Sequence, residues 1–310
     1  MHIKIGTRGS KLALWQAYHV EALLQKGGIT TELVIIETKG DKILDISLSK
    51  IGSKGLFTQE LEDQLRSGDI DIAVHSAKDM QSHLDEDFEI IAFTERERAN
   101  DVLISHNKNL SLNSGDTFVV GTSSARRIAV LKHYYPHIKI VDMRGNLQTR
   151  LRKMEDGDCD ALLLAYAGVH RMEYDDKIAE HLLLDEFTPA VGQGSIAIEN
   201  AVSLSEEKKT ILKTLLNHEA TSTCLRAERA FLKRLQGGCS IPVFALAILK
   251  DNEIHISGGI ISLDGKEIIR HADNGSISFP EELGTSLANE LISAGADRIL
   301  NDIRAQSTVL

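Results

Sequence analysis

Three cysteines in 310 residues are too few for a disulfide framework. Cys159, Cys224 and Cys239 form no CxxC pair and show no Cys/His spacing of a zinc site. Positive charge is also short. Lys and Arg number 35 against 45 Asp and Glu, a net charge of -10. That balance argues against a general nucleic-acid binder, whose affinity rests on surplus Lys and Arg. No apolar run reaches the length needed to span a bilayer. The chain enters His2-Ile3-Lys4-Ile5 without a basic-then-apolar leader, so a cytoplasmic, reducing setting is expected. No Gly-x-x-x-x-Gly-Lys-[Ser/Thr] loop occurs, which makes carboxylate a better expectation than phosphate for any bound anion. What is present, 42 % hydrophobic and 26 % charged residues, suits a globular chain of two or three domains.

The pattern along the chain is α/β. Ile3–Ile5 reads as a short strand that breaks at Gly6-Thr7-Arg8-Gly9-Ser10. A helix follows, with Ala13, Ala17, Val20 and Leu24 on one face and Gly27-Gly28 at its end. Leu33–Ile36 is an apolar, β-branched run expected to be covered on both faces. Residues 38–55, rich in Lys, Gly and Ser, read as a surface loop or lid. A helix near 57–66 leads to the strand ending in Val74-His75, then Ser76-Ala77-Lys78-Asp79. The next segment repeats this grammar. Phe118-Val119-Val120 breaks at Gly121-Thr122-Ser123-Ser124 into a helix opening with Arg126-Arg127. Later, Gly157-Asp158-Cys159-Asp160 leads into the apolar strand Ala161–Leu164. Two α/β lobes with a cleft between them are expected. Pro189–Gly194 reads as a crossover, with Ser195–Asn200 returning a strand to the first lobe. The expected division is 1–95 with 195–216, then 100–190, then a small α+β domain over 218–310. In that last domain Cys224 shares a core-facing stripe with Ala227, Phe231 and Leu235. Three antiparallel strands and one helix from about 280 to 300 should follow.

Between that stripe and the strands lies Gln236-Gly237-Gly238-Cys239-Ser240-Ile241-Pro242. Two glycines break the helix, glycine being the residue that accepts the backbone angles of a helix end. The Cys239 thiol on this loop is either a spare small hydrophobe or a point of covalent attachment. The two Gly-Thr breaks have the form of anion sites, with free backbone N–H groups at a helix start. Thr7, Ser10, Thr122, Ser123 and Ser124 add hydroxyls there; Arg8, Lys11, Arg126 and Arg127 add charge-assisted donors suited to carboxylates. Ordinary helix capping accounts for either break taken alone. Asp79, at the end of a buried strand, reads either as a turn residue or as a group that moves protons. His75 reads as a hydrogen-bonded structural histidine. Arg144, Arg150, Tyr166 and Arg171 read as solvated positions or as part of the anion site.

Together these stretches resemble the porphobilinogen deaminase (hydroxymethylbilane synthase) family. The matching runs are Thr7–Gln16, Lys39-Gly40-Asp41, Lys50–Phe57, Val74–Asp79, Gly121–Arg127, Arg144-Gly145-Asn146, Pro189–Gly194 and Gly237-Gly238-Cys239. The resemblance implies two lobes like those of periplasmic binding proteins and a third domain. It implies a dipyrromethane cofactor joined by a thioether to Cys239. It also implies a monomer that adds four porphobilinogen units head to tail with loss of ammonia, then releases hydroxymethylbilane. By the same resemblance Lys78, Asp79, Thr122, Ser123, Ser124, Arg126, Arg127 and Arg144 would hold the cofactor. Arg8, Ser10, Gln16, Arg144, Arg150 and Arg171 would hold substrate carboxylates. Lys50 and Lys54 would belong to a lid, Gln193 to a hinge, and Asp79 would face the pyrrole nitrogens as the catalytic group. The chain departs from the family pattern at Met80-Gln81, where proline is usual. It departs again at Arg98-Ala99-Asn100-Asp101, where Asn100 replaces an expected arginine, and at Lys39, where arginine is common.

The cysteine expectation is tested by weighing the intact protein beside Cys239→Ser. An excess mass of two linked pyrrole units is expected in the parent and not in the variant. A bare mass in both would contradict the attachment.

Overall fold

The computed structural model describes residues 1–38, 58–238 and 241–308. Its first sheet has the order β2-β1-β3-β10-β4, built from β1 (His2–Arg8), β2 (Thr30–Ile36), β3 (Ile72–Ser76), β4 (Phe88–Phe93) and β10 (Ile196–Ala201). β1 runs parallel to β2 and β3, whereas β10 is antiparallel to both β3 and β4. The second sheet has the order β7-β6-β8-β5-β9, from β5 (Asp101–Ile104), β6 (Val119–Gly121), β7 (Lys139–Val141), β8 (Ala161–Ala165) and β9 (Ile178–His181). Here β6 is parallel to β7 and β8, and β5 is antiparallel to β8 and β9. The two sheets therefore share one plan. In each, the fourth strand is the one that arrives directly from the other lobe.

Helices cover the sheets because their apolar stripes have nowhere else to go. In the first lobe α1 (Lys11–Lys26) is capped by Ser10, whose Oγ accepts the Ala13 N–H at 3.3 Å. Its Ala17, Val20 and Leu24 join Ile3, Ile5, Ile72 and Ile198 in one core. α2 (Gln59–Ser67) lays Leu61 and Leu65 against Ile70 and Phe88. In the second lobe α3 (Ala125–Tyr134), α4 (Leu147–Glu155) and α5 (Tyr166–Arg171) pack similarly. After β10 come α6 (Glu206–Leu216) and α7 (Glu219–Arg234). They lead to the antiparallel sheet β11 (Val243–Lys250), β12 (Glu253–Ile261) and β13 (Ile268–Ser276), then α8 (Pro280–Ser293) and α9 (Ala296–Thr308). Phe244 and Ile261 of that sheet enter the second lobe's core, and Leu225 of α7 joins Ala77, Met80 and Phe93 of the first.

Several expectations change. β2 is not covered on both faces: it is the sheet edge, and Ile35 is 61 % exposed. The C-terminal helix is two helices, because Gly295 takes φ +101°, a left-handed angle that ends α8. After α7 the left-handed position falls on Gln236 (φ 51°) rather than on either glycine. Gly237 instead packs against Leu232, where a Cβ would lie 2.5 Å from Cδ1. Cys224 is buried in the third core, as its stripe predicts.

The two crossovers between lobes lie against each other. Glu97 N–H donates to Gly194 O at 3.1 Å, and Thr94 N–H to Ile196 O at 3.1 Å. Gly194 has φ +96°, and a Cβ there would meet Glu97 O at 2.3 Å, so this approach admits only glycine. Two carboxylates with no solvent exposure tie the pair down. Asp101 accepts from Arg126 and Arg127, each at 2.6 Å, and from Gln193 Nε2 at 2.9 Å. Glu228 of α7 accepts from Arg96 at 2.5 Å, Gly192 N–H at 2.9 Å and Ala247 N–H at 2.8 Å. One side chain thus joins both crossovers to the third sheet.

Removing one partner of such a buried pair leaves the other charge unpaid. Glu228→Gln is expected to lower unfolding free energy by about 3 kcal/mol, read from denaturant midpoints. A loss below about 1 kcal/mol, the range of an exposed pair, would contradict the buried-clamp description.

Candidate functional site

A cavity of about 420 Å³ opens between the lobes. Its walls are the carboxyl ends of parallel strands, the usual ligand crevice of open α/β sheets. β1 ends there at Arg8, β3 at Ser76, and β8 at Ala165; Ser123 stands just beyond β6. From the first lobe Arg8, Ser10, Gln16, His75, Lys78 and Asp79 line it. From the second come Ser123, Arg127, Arg144 and Arg150, with Asn146 and Gln148.

Each side chain is set by local structure. Lys78 and Asp79 sit on the short helical turn 77–79 that follows β3. Lys78 is half-buried and Asp79 exposed to the cavity. Gln16 Nε2 donates to Ser76 Oγ at 2.9 Å, pinning α1 to the end of β3. Ser123 Oγ donates to Met143 O at 2.7 Å. Arg127 reaches the cavity while donating to Leu163 O at 2.9 Å and to Asp101. Arg144 donates to Asp142 at 3.1 Å, and Arg150 to Gly145 O at 2.8 Å. Asn146 caps α4 by accepting the Thr149 N–H at 2.9 Å.

Other expected residues lie off the wall. Arg126 is buried behind it, donating to Thr188 O at 2.9 Å and to Asp101. Thr122 is buried and accepts the Ser124 N–H at 3.3 Å, and Ser124 caps α3. These capping bonds are the ordinary reading of the Gly-Thr break, and here they are made. Arg171 donates to Gly194 O at 2.7 Å and lies over the Trp15 ring at 5.3 Å, bridging the lobes beside the cavity. Gln193 is held in the crossover, donating to Ala99 O at 2.6 Å as well as to Asp101. Cys239, Lys50, Lys54 and Lys39 lie outside the described residues. Asn100 donates to Leu182 O at 3.1 Å and so stays in the second sheet's edge contacts. Gln81 bonds to Thr58 and Glu62, and its carbonyl accepts from Arg229 at 2.9 Å.

The charge in the cavity is one-sided. Burial pushes the Lys78 ammonium down to about 8, with Asp79 opposing and Arg127 reinforcing the shift. Burial and the Arg127 charge push Arg150 down to about 10, again against Asp79. Burial brings Arg171 to about 10 as well. Burial alone would raise the Asp101 carboxyl, but Arg126 and Arg127 hold it well below the usual carboxylate range. Asp101 is thereby committed to Arg126 behind the wall and to Arg127 in it, and among the described residues the cations at the wall face one lining carboxylate, Asp79. Crowded, desolvated cations with donors aimed into one cavity fit a ligand carrying several carboxylates. The sequence did not flag Asn146, Gln148 or Thr58 as wall residues. Asn146 had a signal, as a helix cap after Gly145 beside Arg144.

A family model described as "Porphobilinogen deaminase, dipyromethane cofactor binding domain" matches residues 3–209, and one for the C-terminal domain of the same enzyme matches 222–293. A porphobilinogen deaminase of Cytophaga hutchinsonii is 58% identical over 302 residues, 97% of each chain. One from Desulfosudis oleivorans is 52% identical over 99% of this chain and 100% of its own. Among solved structures, the VFT2 domain of Bordetella pertussis BvgS aligns at 17% identity, covering 74% of this chain and 92% of that one. Its TM-score is 0.44, so the two-lobed fold rests on the sheets themselves.

Lys78 binds a carboxylate as the ammonium and loses that form as pH rises through about 8. Affinity for succinate, measured by calorimetry, should therefore fall across that pH, while Lys78→Arg keeps it level. An equal fall in both proteins would contradict the assignment.

Proposed function

The chain belongs to the porphobilinogen deaminase family, and from that premise we propose how its own residues carry the reaction. The activity is the stepwise head-to-tail condensation of porphobilinogen with loss of ammonia onto a covalent dipyrromethane, and hydrolytic release of hydroxymethylbilane in tetrapyrrole biosynthesis. Each porphobilinogen carries an acetate and a propionate, so the growing chain is a polyanion. The observation that carries our reading is the crowd of desolvated cations that the described residues place around Asp79 in the interlobe cavity.

When bound, the dipyrromethane supplies the pyrrole carbon to which the first substrate is joined. In our reading Cys239 holds it, and Lys78, Ser123, Arg127 and Arg144 pair with its carboxylates. Arg126, Thr122 and Ser124 act from behind the wall: Arg126 shares Asp101 with Arg127, and the two hydroxyls shape the turn that presents α3. Arg8, Ser10, Gln16, Arg144 and Arg150 receive the substrate's side chains. Arg171 does so from the interlobe bridge, at the position it reaches beside Gly194. Gln193 belongs to the hinge between the lobes.

Asp79 is the catalytic group. Exposed to the cavity beside Lys78, its carboxylate accepts from pyrrole N–H groups and balances the positive charge that develops on the substrate as the amine departs. A preorganised charge facing that cation contributes most of its effect in the transition state. The same reading makes the enzyme a cytoplasmic monomer. The described Cys159 and Cys224 are both buried, and burial raises each to about 11.

Asp79→Asn tests the central role. The variant should keep the excess mass of the attached cofactor and lose about 100-fold or more in kcat. Turnover near that of the parent would sink the assignment.

A further inference from the structure

Part of the cavity wall belongs to a buried group that the reaction above leaves unused. His75 of β3 lines the cavity and is only 7 % exposed. Its Nε2 lies 3.0 Å from Oε2 of Glu199 on β10, a side chain with no solvent exposure. The second oxygen, Glu199 Oε1, is buried and has no hydrogen-bond partner. A desolvated carboxylate with one oxygen unsatisfied is costly to keep.

The charged groups around the pair come from every neighbouring element. Glu62 of α2 is buried; burial raises its carboxyl, Thr58 opposes this by a hydrogen bond, and Glu199 and Asp85 reinforce it. Arg229 of α7 is brought down to about 10 by burial and partly restored by Glu199. Lys78 and Asp79 share the cavity wall with His75. A carboxylate at Nε2 fixes the tautomer with the proton on Nε2 and leaves Nδ1 as the basic nitrogen. Among the described residues Nδ1 makes no hydrogen bond. A base whose ring is held by a buried carboxylate at the edge of a substrate cleft is the arrangement that general-base chemistry needs.

We propose that His75, oriented by Glu199, is the group that accepts the ring-carbon proton released in each condensation; this rests on the porphobilinogen reading of the same cavity. In each addition a C–C bond forms between the aminomethyl carbon of porphobilinogen and a free pyrrole ring carbon. The C–N bond breaks with its electron pair going to nitrogen, and ammonia departs. The ring carbon gives up its hydrogen as a proton, and the C–H electron pair restores the aromatic ring. Nδ1 of His75 takes that proton, Glu199 balances the imidazolium, and the proton passes on to ammonia or water. Asp79 and His75 then divide the work. One stabilises a cation, and the other removes a proton.

The test compares the parent, His75→Gln and Glu199→Gln, using porphobilinogen with and without deuterium at the free ring carbon. His75→Gln should keep the attached cofactor by mass and hold KM within about threefold. Its kcat should fall about 100-fold, with a primary isotope effect appearing. A kcat near the parent's, or a fall with no isotope effect, would overturn the proposal. Glu199→Gln decides the matter if His75→Gln fails to fold or to assemble its cofactor. Loss of the neighbouring carboxylate should weaken the hydrogen bond at His75 Nε2, seen as an upfield move of the Nε2–H proton resonance by NMR without turnover, and should make the isotope effect appear. An unmoved resonance overturns the proposal. If the parent itself releases no ammonia from porphobilinogen, the functional reading fails. If the parent turns over and His75→Gln matches it, only this inference fails.

Discussion

Asp101 and Glu228 sit where the chain passes between lobes, and both are cut off from water. A buried carboxylate is stable only if every charge and donor around it is in place, and losing one partner costs about 3–5 kcal/mol. Asp101 gathers two arginines of α3 and the amide of Gln193; Glu228 gathers Arg96, Gly192 and a strand of the third sheet. Between them they fix both crossovers, and through the crossovers the separation of the two sheets. The cavity exists because these contacts hold the strand ends apart by a set distance.

The same contacts shape the charge in the cavity. Asp101 pairs with Arg126 and with one edge of Arg127, leaving Arg127 to lower the proton affinity of Lys78 and Arg150. Cations crowded in this way destabilise the empty fold and are relieved when carboxylates arrive, so the folding cost of the site is recovered on binding. Arg171, stacked on Trp15 and bonded to Gly194, links that anion site to the crossover. Binding and interlobe geometry are therefore joined through a few named bonds.

Much of this was legible in the chain. The helix of α1, the strand β3 running into Asp79, the return of β10 and the stripe holding Cys224 all follow from apolar spacing and glycine breaks. The repeated Gly-Thr grammar anticipated two sheets of one plan. What escaped was non-local. Whether a strand such as β2 lies at an edge depends on which neighbours arrive later in the chain. Asp101 meets Arg126 and Arg127 across 25 and 26 residues, and Gln193 across 92. Glu228 looks like any polar residue of an amphipathic helix until Arg96 reaches it. Arg126 and Arg127 are adjacent in sequence, yet only the second reaches the cavity wall. His75 was readable as a bonded histidine but not as a cavity wall, since Glu199 lies 124 residues away.

The dependence of the interlobe geometry on Glu228 is tested most directly by amide hydrogen exchange at Gly192 and Ala247, the two N–H groups from which Glu228 accepts. Both should exchange as slowly as core amides such as Ile198 in the parent, and both should open together at lower free energy when Arg96 is replaced by Met. Fast exchange at Gly192 in the parent, or loss of protection at one amide without the other, would contradict a single buried carboxylate holding the crossovers to the third sheet.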